Sequence, residues 1–386
     1  MVPAAFFRTR RATTTWKAVC GSLSTCSMGR SCLRRQKPIQ QRFFVRRPTV
    51  PFAADVDRLE RIASIRAARG VAMSSHILIV GCGAIGGLFA AALSEITKVT
   101  AYDANADHVA AIERDGLRIT GKTPRLARIA AVSDAAALQG VAFDAVIFLI
   151  KSKFTAQALA QLQPRLGGKP MLVTLQNGMD NTEVLLSSPA ATVVRGVTMN
   201  AGRYIGPGEI ENLIEGKSWL GPVRGTVEDV KPLAALLTAA GYPTDVLADP
   251  MGAVWSKFIF NCVMNPVGAL MMGDNAARYD VAEMRTLIDD MAAECMAVVQ
   301  GLGGSFAFPP MEFVEKVRAG EIPLSKHAGS MALDIARGAP TEIDELTGFI
   351  VREGDRLGVP VPACRTVYRL AKGLEAASAR RVPVAR

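Results

Sequence analysis

This 386-residue chain lacks a continuously apolar run of bilayer length: its longest uncharged stretch, 70–94, is broken by Ser74, Ser75, His76 and a glycine-rich turn, so a helical membrane span is not expected. The apolar runs near the N-terminus are also too short for the core of a secretory signal. Cysteine is scarce and poorly spaced for chemistry. Of the seven, Cys20, Cys26 and Cys32 stand at equal intervals with no histidine nearby, and Cys82, Cys262, Cys295 and Cys364 are scattered. No Cys-x-x-Cys pair occurs, which argues against a zinc site and a disulfide framework. Reduced, buried thiols and no metal are expected. Histidine is rarer still: His76, His108 and His327 fall outside every motif described below, and none is given a catalytic role.

Acidic residues are absent before Asp55. The net charge of +10 invites a nucleic-acid reading, but its distribution argues against one. Residues 1–72 hold 15 of the 45 Lys and Arg and only 3 of the 35 Asp and Glu, which leaves the rest of the chain net negative by 2. No basic surface for phosphates is implied there, and neither nucleic acid nor membrane is an expected partner. The first 72 residues show no sustained period, and Arg34-Arg35 and Arg46-Arg47 interrupt their few apolar residues. Two readings fit. The composition is that of an organellar transit peptide. Alternatively, translation starts at Met73, where Met73-Ser-Ser-His-Ile-Leu-Ile-Val opens a strand as many cytosolic enzymes do, and the Ala/Arg/Gly bias of the segment favours this second reading. Residues 1–73 are therefore set aside as a disordered basic extension. A cytoplasmic location is expected, or a mitochondrial one if the segment is a transit peptide.

From residue 75 strands and helices alternate. Short apolar strands at 76–80 and 98–102 are separated by a helix of small apolar residues at 84–93, and a helix at 107–115 follows. The continuous apolar run 145–150 suits a strand buried on both faces. A helix at 155–166 leads to a buried strand at 171–175 that ends in Asn177-Gly178. This alternation implies a doubly wound parallel sheet. Segments 192–199, 209–213 and 218–221 read as shorter strands extending the same sheet, followed by a helix at 229–240 and a strand at 244–247. From Met251 onward helices are expected at 251–270, 281–302, 310–319, 328–337, 342–357 and 364–378. The fold class is α/β, with an N-terminal Rossmann-type doubly wound sheet followed by an all-α C-terminal domain. A dinucleotide-binding domain is expected over 74–249 and a helical substrate and catalytic domain over 250–380, with the boundary near Pro250.

Gly81-Cys82-Gly83-Ala84-Ile85-Gly86 follows a strand and opens a helix. In that setting the first glycine allows a tight turn. The second lets the backbone approach a pyrophosphate, and the third lets helix and strand pack closely. The free N–H groups and positive dipole end of the helix then face the phosphates. Asp103 ends the second strand, twenty residues after Gly83. A carboxylate there accepts hydrogen bonds from adenosine ribose hydroxyls and repels a 2′-phosphate, which favours NAD(H). The bland alternative is that Asp103 caps the next helix. No arginine follows at 104–107. Lys122, Arg125 and Arg128 lie on a segment the pattern does not place.

The second informative stretch is Trp255-Ser-Lys257-x3-Asn261-Cys-x2-Asn265-Pro266. Lys257, Asn261 and Asn265 recur every four residues and form one polar line on a helix that is apolar elsewhere. Such groups must be satisfied by something: a polar ligand in a cleft, an interdomain hydrogen-bond network, or solvent reached by a snorkelling lysine. A ligand is favoured. Lys257 could then donate a proton to a developing alkoxide, with the asparagines holding substrate hydroxyl or carboxylate groups.

This stretch closely resembles the central helix of the ketopantoate reductase family. Three others agree with it. Leu175-Gln-Asn177-Gly-Met resembles the family's Asn-Gly turn, Lys151 its strand-end lysine, and Ser330-Met-x2-Asp334 with Thr341-Glu342-Ile-Asp344 its late motif. The resemblance implies Lys257 as general acid and Glu342 as the residue that binds substrate and orients Lys257. It implies Asn177, Asn261, Asn265 and Ser330 as substrate ligands, Ser330 near the carboxylate, with Lys151 and Asn177 beside the nicotinamide. Read alone, Glu342 is a first-turn helix acid, Lys151 a solvated lysine and Ser330 a helix cap. The chain departs from the family at Asp103-Ala104, where a basic residue is frequent, and also at Asp180, Thr347 and Gly338-Ala339-Pro340. The resemblance thus points to NADP(H), and Asp103 to NAD(H).

The expected function is reduction of a 2-oxo acid by a nicotinamide cofactor, with 2-dehydropantoate, a precursor of pantothenate and coenzyme A, as the small-molecule substrate and (R)-pantoate as product. The nearest alternative is an NADH-linked 2-hydroxy acid dehydrogenase on the same scaffold. From another class, a non-catalytic nucleotide-sensing module is opposed by the joint presence of Lys257 and Glu342. A homodimer is left open. A chain beginning at Met73 is expected to match the full chain in melting temperature and turnover. A large loss in either would show that the N-terminal segment is structural.

Overall fold

A computed structural model describes residues 75–272, 275–324 and 328–380. The basic extension and His327 lie outside them. Strand β1 (His76–Val80) is almost wholly buried, because its Ile-Leu-Ile-Val run faces packed layers on both sides. It pairs in parallel with β2 (Lys98–Tyr102) on one edge and β6 (Ala145–Phe148) on the other. Beyond β6 come β7 (Met171–Thr174) and β8 (Val193–Thr198), both parallel, and beyond β2 comes the short β5 (Ala130–Val132). Antiparallel β11 (Ser218–Arg224) and the three-residue β12 (Thr244–Val246) close the far edge, giving the order β12-β11-β8-β7-β6-β1-β2-β5. The chain leaves β1 toward β2 and returns on its other side at β6. The crevice between the ends of β1 and β6 is therefore a topological switch point, where open α/β sheets bind ligands.

One expectation from the pattern is corrected. Residues 209–213 do not extend this sheet. Strand β10 (Glu209–Ile214) pairs with β9 (Ala201–Gly206) and with β3 (Leu117–Gly121), and β4 (Arg125–Ala127) completes a separate four-stranded sheet in the order β4-β3-β10-β9. The cause lies in helix α1 (Ala84–Leu93), whose residues from Gly86 onward are all buried. A helix that is apolar all round needs a cover on both sides. The main sheet supplies one and the second sheet the other. Ile210 packs where a Cβ on Gly87 would come within 2.0 Å of it, and Gly202 of β9 lies so close to Ala84 that a Cβ would meet the Ala84 carbonyl at 2.7 Å.

Helices α2 (Ala106–Asp115), α3 (Thr155–Leu162), α4 (Asn181–Leu186) and α5 (Val227–Ala239) flank the sheets, and α5 starts in a capping box between Thr226 and Asp229. Helix α6 (Met251–Leu270) then opens the helical part, followed by α7 (Ala277–Asp280), α8 (Ala282–Gly301), α9 (Glu312–Arg318), α10 (Ser330–Ala336), α11 (Thr347–Leu357) and α12 (Pro362–Ala379). Helix α6 is the central post. Ile259, Cys262, Val263 and Val267 pack against Met291, Cys295, Val298, Ile350 and Val367 from the helices around it. Buried Thr347 at the start of α11 donates to the Cys262 carbonyl at 2.7 Å. The last long helices match their expected spans closely, except that α11 begins at Thr347. Residues 342–346 form the turn before it, so Glu342 is not a first-turn helix acid. Cys82, Cys262, Cys295 and Cys364 are free and buried. No helix among the described residues is long and apolar enough to cross a membrane.

Candidate active site

The glycine loop shows three separate steric demands. Gly81 has φ +92°, and a Cβ there would lie 2.6 Å from Ile150 and 2.9 Å from its amide. A Cβ on Gly86 would stand 1.8 Å from the Gly81 carbonyl, so only hydrogen lets α1 pack on the turn. Gly83 differs: a Cβ there would meet nothing within 4 Å. Space is open on that side, and Gly83 is the N-cap of α1 with no side chain closing the helix end. A loop that is packed tightly behind and open in front, with uncapped N–H groups facing the opening, fits a pyrophosphate.

Two side chains brace this loop from behind. Asp103 accepts from the amide of Cys82 at 2.8 Å and from that of Asn105 at 2.9 Å. The cap of α2 is Asn105, which accepts from the His108 amide at 3.2 Å, so the cap alternative for Asp103 is corrected. His108 is 1% exposed. Its Nδ1 accepts from the Gly208 amide at 2.9 Å, which leaves the proton on Nε2, and Nε2 donates to the Cys82 carbonyl at 2.9 Å. The sequence put His108 on the helix expected at 107–115, outside every motif. The second sheet covers it, and nothing in the local pattern reports that.

A cavity of about 680 Å³ runs from the start of α1 to the inner wall of the helical part. It brings together Ala84, Ile85, Lys151 and Asn177 from the sheet-containing part with Lys257, Asn261, Asn265, Ser330 and Glu342 from the helical part. Gly81, Cys82, Gly83, Gly86 and Asp103 lie outside its lining, in the loop at its mouth and the strand end that braces it. The polar line of α6 faces this space. Asn261 donates through Nδ2 to Asn177 Oδ1 at 3.1 Å, and Asn177 Nδ2 donates to Glu342 Oε2 at 3.2 Å. This chain of bonds crosses from helix to sheet turn and back. Lys257 is not bonded to Glu342. It donates instead to the backbone carbonyl of Thr198, at the end of β8. Exclusion from bulk water lowers the Lys257 pKa to about 8, against the pull of Glu342 and with the help of Arg195. Burial raises that of Glu342, partly offset by the bond from Asn177.

Lys151 is not a free strand-end lysine, although its side chain keeps 38% of its exposure. Its Nζ donates to the Pro340 carbonyl at 2.9 Å and pairs with Asp334 at 3.0 Å, tying the end of β6 to α10. Ser330 is the first residue of α10, whose cap is Gly329, and its exposed side chain faces the cavity. Among the lining residues that escaped the sequence reading are Tyr204, Asn275 and Arg278, the last bonded to the Ala328 carbonyl at 3.1 Å. Arg195 left one sign, a lone charge inside the apolar strand Val193–Thr198.

Comparison with known proteins bears on this site. The family model described as "Ketopantoate reductase PanE/ApbA" matches residues 77–225, and its C-terminal counterpart matches 249–375. A 2-dehydropantoate 2-reductase of Halobacterium salinarum is 30% identical over 302 residues, 77% of this chain and 98% of that protein. A crystal structure of a PanE/ApbA family ketopantoate reductase from Ralstonia eutropha JMP134 is 31% identical, with a TM-score of 0.69 over 79% of this chain and 100% of that one. A D-mandelate dehydrogenase in ternary complex with NADH and anilino(oxo)acetate has a TM-score of 0.72 at 22% identity, over 79% of this chain and 100% of that one, and so shares the fold.

Substitution at two glycines separates packing from ligand approach. Gly86→Ala is expected to lower the melting temperature, by overpacking worth about 1–3 kcal/mol. Gly83→Ala should melt like the wild type and lose most of its affinity for a nicotinamide dinucleotide in a fluorescence titration. Equal behaviour of the two variants in both assays would remove the loop as the pyrophosphate site.

Proposed function

The chain belongs to the ketopantoate reductase family, and from that premise we propose that it reduces 2-dehydropantoate to (R)-pantoate. More broadly, it is a nicotinamide-dependent oxidoreductase of the 2-hydroxy acid class. The observation that carries the reading is the position of Lys257, an ammonium group held inside the cavity beside the bonded series Asn261–Asn177–Glu342. The nicotinamide, when bound, supplies the hydride that adds to the substrate's carbonyl carbon. As the carbonyl oxygen gains charge, Lys257 hydrogen-bonds it and gives up its proton. A pKa near 8 suits this work, since the group is charged at neutral pH and parts with its proton at small cost. The Thr198 carbonyl aims the ammonium. Asn177 and Asn261, each fixed by the other, present amide groups to the substrate's oxygens, while Asn265 and Ser330 remain available for its carboxylate. Glu342 holds Asn177 in place and balances the charge of Lys257 from across the cavity.

For the coenzyme, Asp103 supports NADH. Its carboxylate stands at the end of β2, bonded to the glycine loop, where the adenosine ribose would lie. Two of the basic residues that could answer a 2′-phosphate sit elsewhere. Arg125 pairs with Glu95, beyond the far end of α1, about 15 Å from the loop along a ten-residue helix. Arg128 lies near Asp115, at the far end of α2.

Lys257→Ala is expected to lower kcat by roughly 10²-fold or more and to leave coenzyme affinity near the wild-type value. In the wild type, kcat for reduction should be level below pH 8 and fall above it as Lys257 loses its proton, whereas the reverse oxidation should rise over the same range. Near-normal turnover in the variant would refute the assignment of Lys257. In a panel of 2-oxo acids, 2-dehydropantoate is expected to give the highest kcat/KM.

Wild-type enzyme should use NADH at least as well as NADPH, and Asp103→Ser should move the ratio of kcat/KM values toward NADPH. Strong wild-type selectivity for NADPH would leave Asp103 as a brace of the glycine loop alone.

A further inference from the structure

Arg195 is the largest side chain among the described residues with essentially no solvent exposure, at 1%. It sits on β8 between Val194 and Gly196, and the three valines of the strand belong to the core. No carboxylate among the described residues pairs with it. Its Nη2 donates to the Gly178 carbonyl at 2.6 Å and its Nη1 reaches Thr174 Oγ1 at 3.4 Å. A guanidinium taken from water without a counter-charge costs far more than a buried amide or hydroxyl making the same two bonds. A purely structural plug would not need the charge.

The location of the charge gives it a use. Gly178 stands at φ +84° in the turn after β7. Just before it, the Asn177 carbonyl is held by Ser152 Oγ at 2.6 Å and Asn181 Nδ2 at 2.7 Å. With Arg195 on the Gly178 carbonyl, two successive peptide groups are fixed from beneath, and the Asn177 side chain is thereby set between Asn261 and Glu342. The same strand, three residues on, presents the Thr198 carbonyl that Lys257 bonds. One element therefore carries the clamp on the turn, the acceptor for the general acid and a fixed positive charge.

We propose that Arg195 is a positioning residue of the reaction, which locks the Asn177–Gly178 turn and holds a permanent positive charge behind Lys257 that readies the ammonium to release its proton. The proposal rests on the reading of Lys257 as the proton donor. The charged groups acting on Lys257 are Arg195 and, from the turn before α11, Glu342. Glu342 in turn faces Lys151, Asp334 and Glu345. Removing the charge of Arg195 leaves Glu342 unopposed and favours the protonated lysine.

The test reads Lys257 directly in the full chain. Amines are labelled with trace acetic anhydride across a pH range, and the Lys257 peptide is quantified by mass spectrometry in the wild type, Arg195→Gln and Arg195→Lys. Glutamine keeps a donor for the Gly178 carbonyl and removes the charge. The labelling midpoint is expected to rise by about half a pH unit or more in Arg195→Gln and to return toward the wild-type value in Arg195→Lys. The basic limb of kcat should move with it, while the coenzyme KM changes less than about twofold. Arg195→Met, which loses both clamp and charge, should lose about tenfold or more in kcat. An unmoved midpoint in Arg195→Gln overturns the proposal. So does a failure of both neutral variants to fold while Arg195→Lys behaves as wild type, which would make the cation a structural plug. If the wild type reduced no 2-oxo acid, the functional reading would fail, and the labelling midpoints would still decide whether Arg195 acts on Lys257.

Discussion

The seam between the carboxyl edge of the main sheet and helix α6 concentrates groups that an apolar interior excludes: an ammonium, a carboxylate, a guanidinium and two primary amides. Each is tolerable only because another holds it. Glu342 accepts from Asn177, Asn177 accepts from Asn261, Lys257 leans on the Thr198 carbonyl, and Arg195 on that of Gly178. A polar network in a low-dielectric setting is stable when it is complete and costly when a member is missing. The placement of α6 against β8 and the turn after β7 is thus bound up with the same bonds that shape the cavity.

On the other side of the cavity, the constraint is packing. Helix α1 must approach the Gly81 turn more closely than any side chain allows, and its outer face must be covered because it carries no polar stripe. The second sheet answers that need, and in covering α1 it also buries His108. A neutral imidazole with a defined tautomer then bonds the Cys82 carbonyl. The loop that would receive a pyrophosphate is braced by Asp103 and His108, so its amides are aimed before any ligand arrives, which limits the entropy lost on binding.

Lys151 and Asp334 span the cavity between these two regions, joining β6 to α10. Burial raises the Asp334 pKa and the lysine partly counters it. The sheet and the helical part are therefore linked by an ion pair at the edge of the cavity and by the amide series in its depth.

Much of this was legible in the linear chain. The Gly81 to Gly86 spacing, the strand before it and the helix after it reflect local sterics that any chain with that pattern must obey. The line Lys257, Asn261, Asn265 follows from the helical period alone, and the sudden run of helices after Pro250 from hydrophobic periodicity. The rest depended on contacts between residues far apart in sequence. Whether residues 209–214 join the main sheet or a second one is set by which apolar face lacks a cover, and that face belongs to α1, more than a hundred positions earlier. The 117–132 segment could not be placed because its short strands find their partners in β2 and β10. Asp103 reads as a ribose ligand with a helix cap as the weaker alternative, and that alternative falls only when Asn105 is seen to take the cap. Arg195 showed only as a charge in an apolar strand, and its partners lie on the preceding strand and the turn that follows it. Sequence by itself determined the periodic and steric features, since those are properties of neighbours along the backbone. Tertiary structure alone decided which buried polar group meets which, because the cost of leaving one unsatisfied is settled only when distant segments close around it.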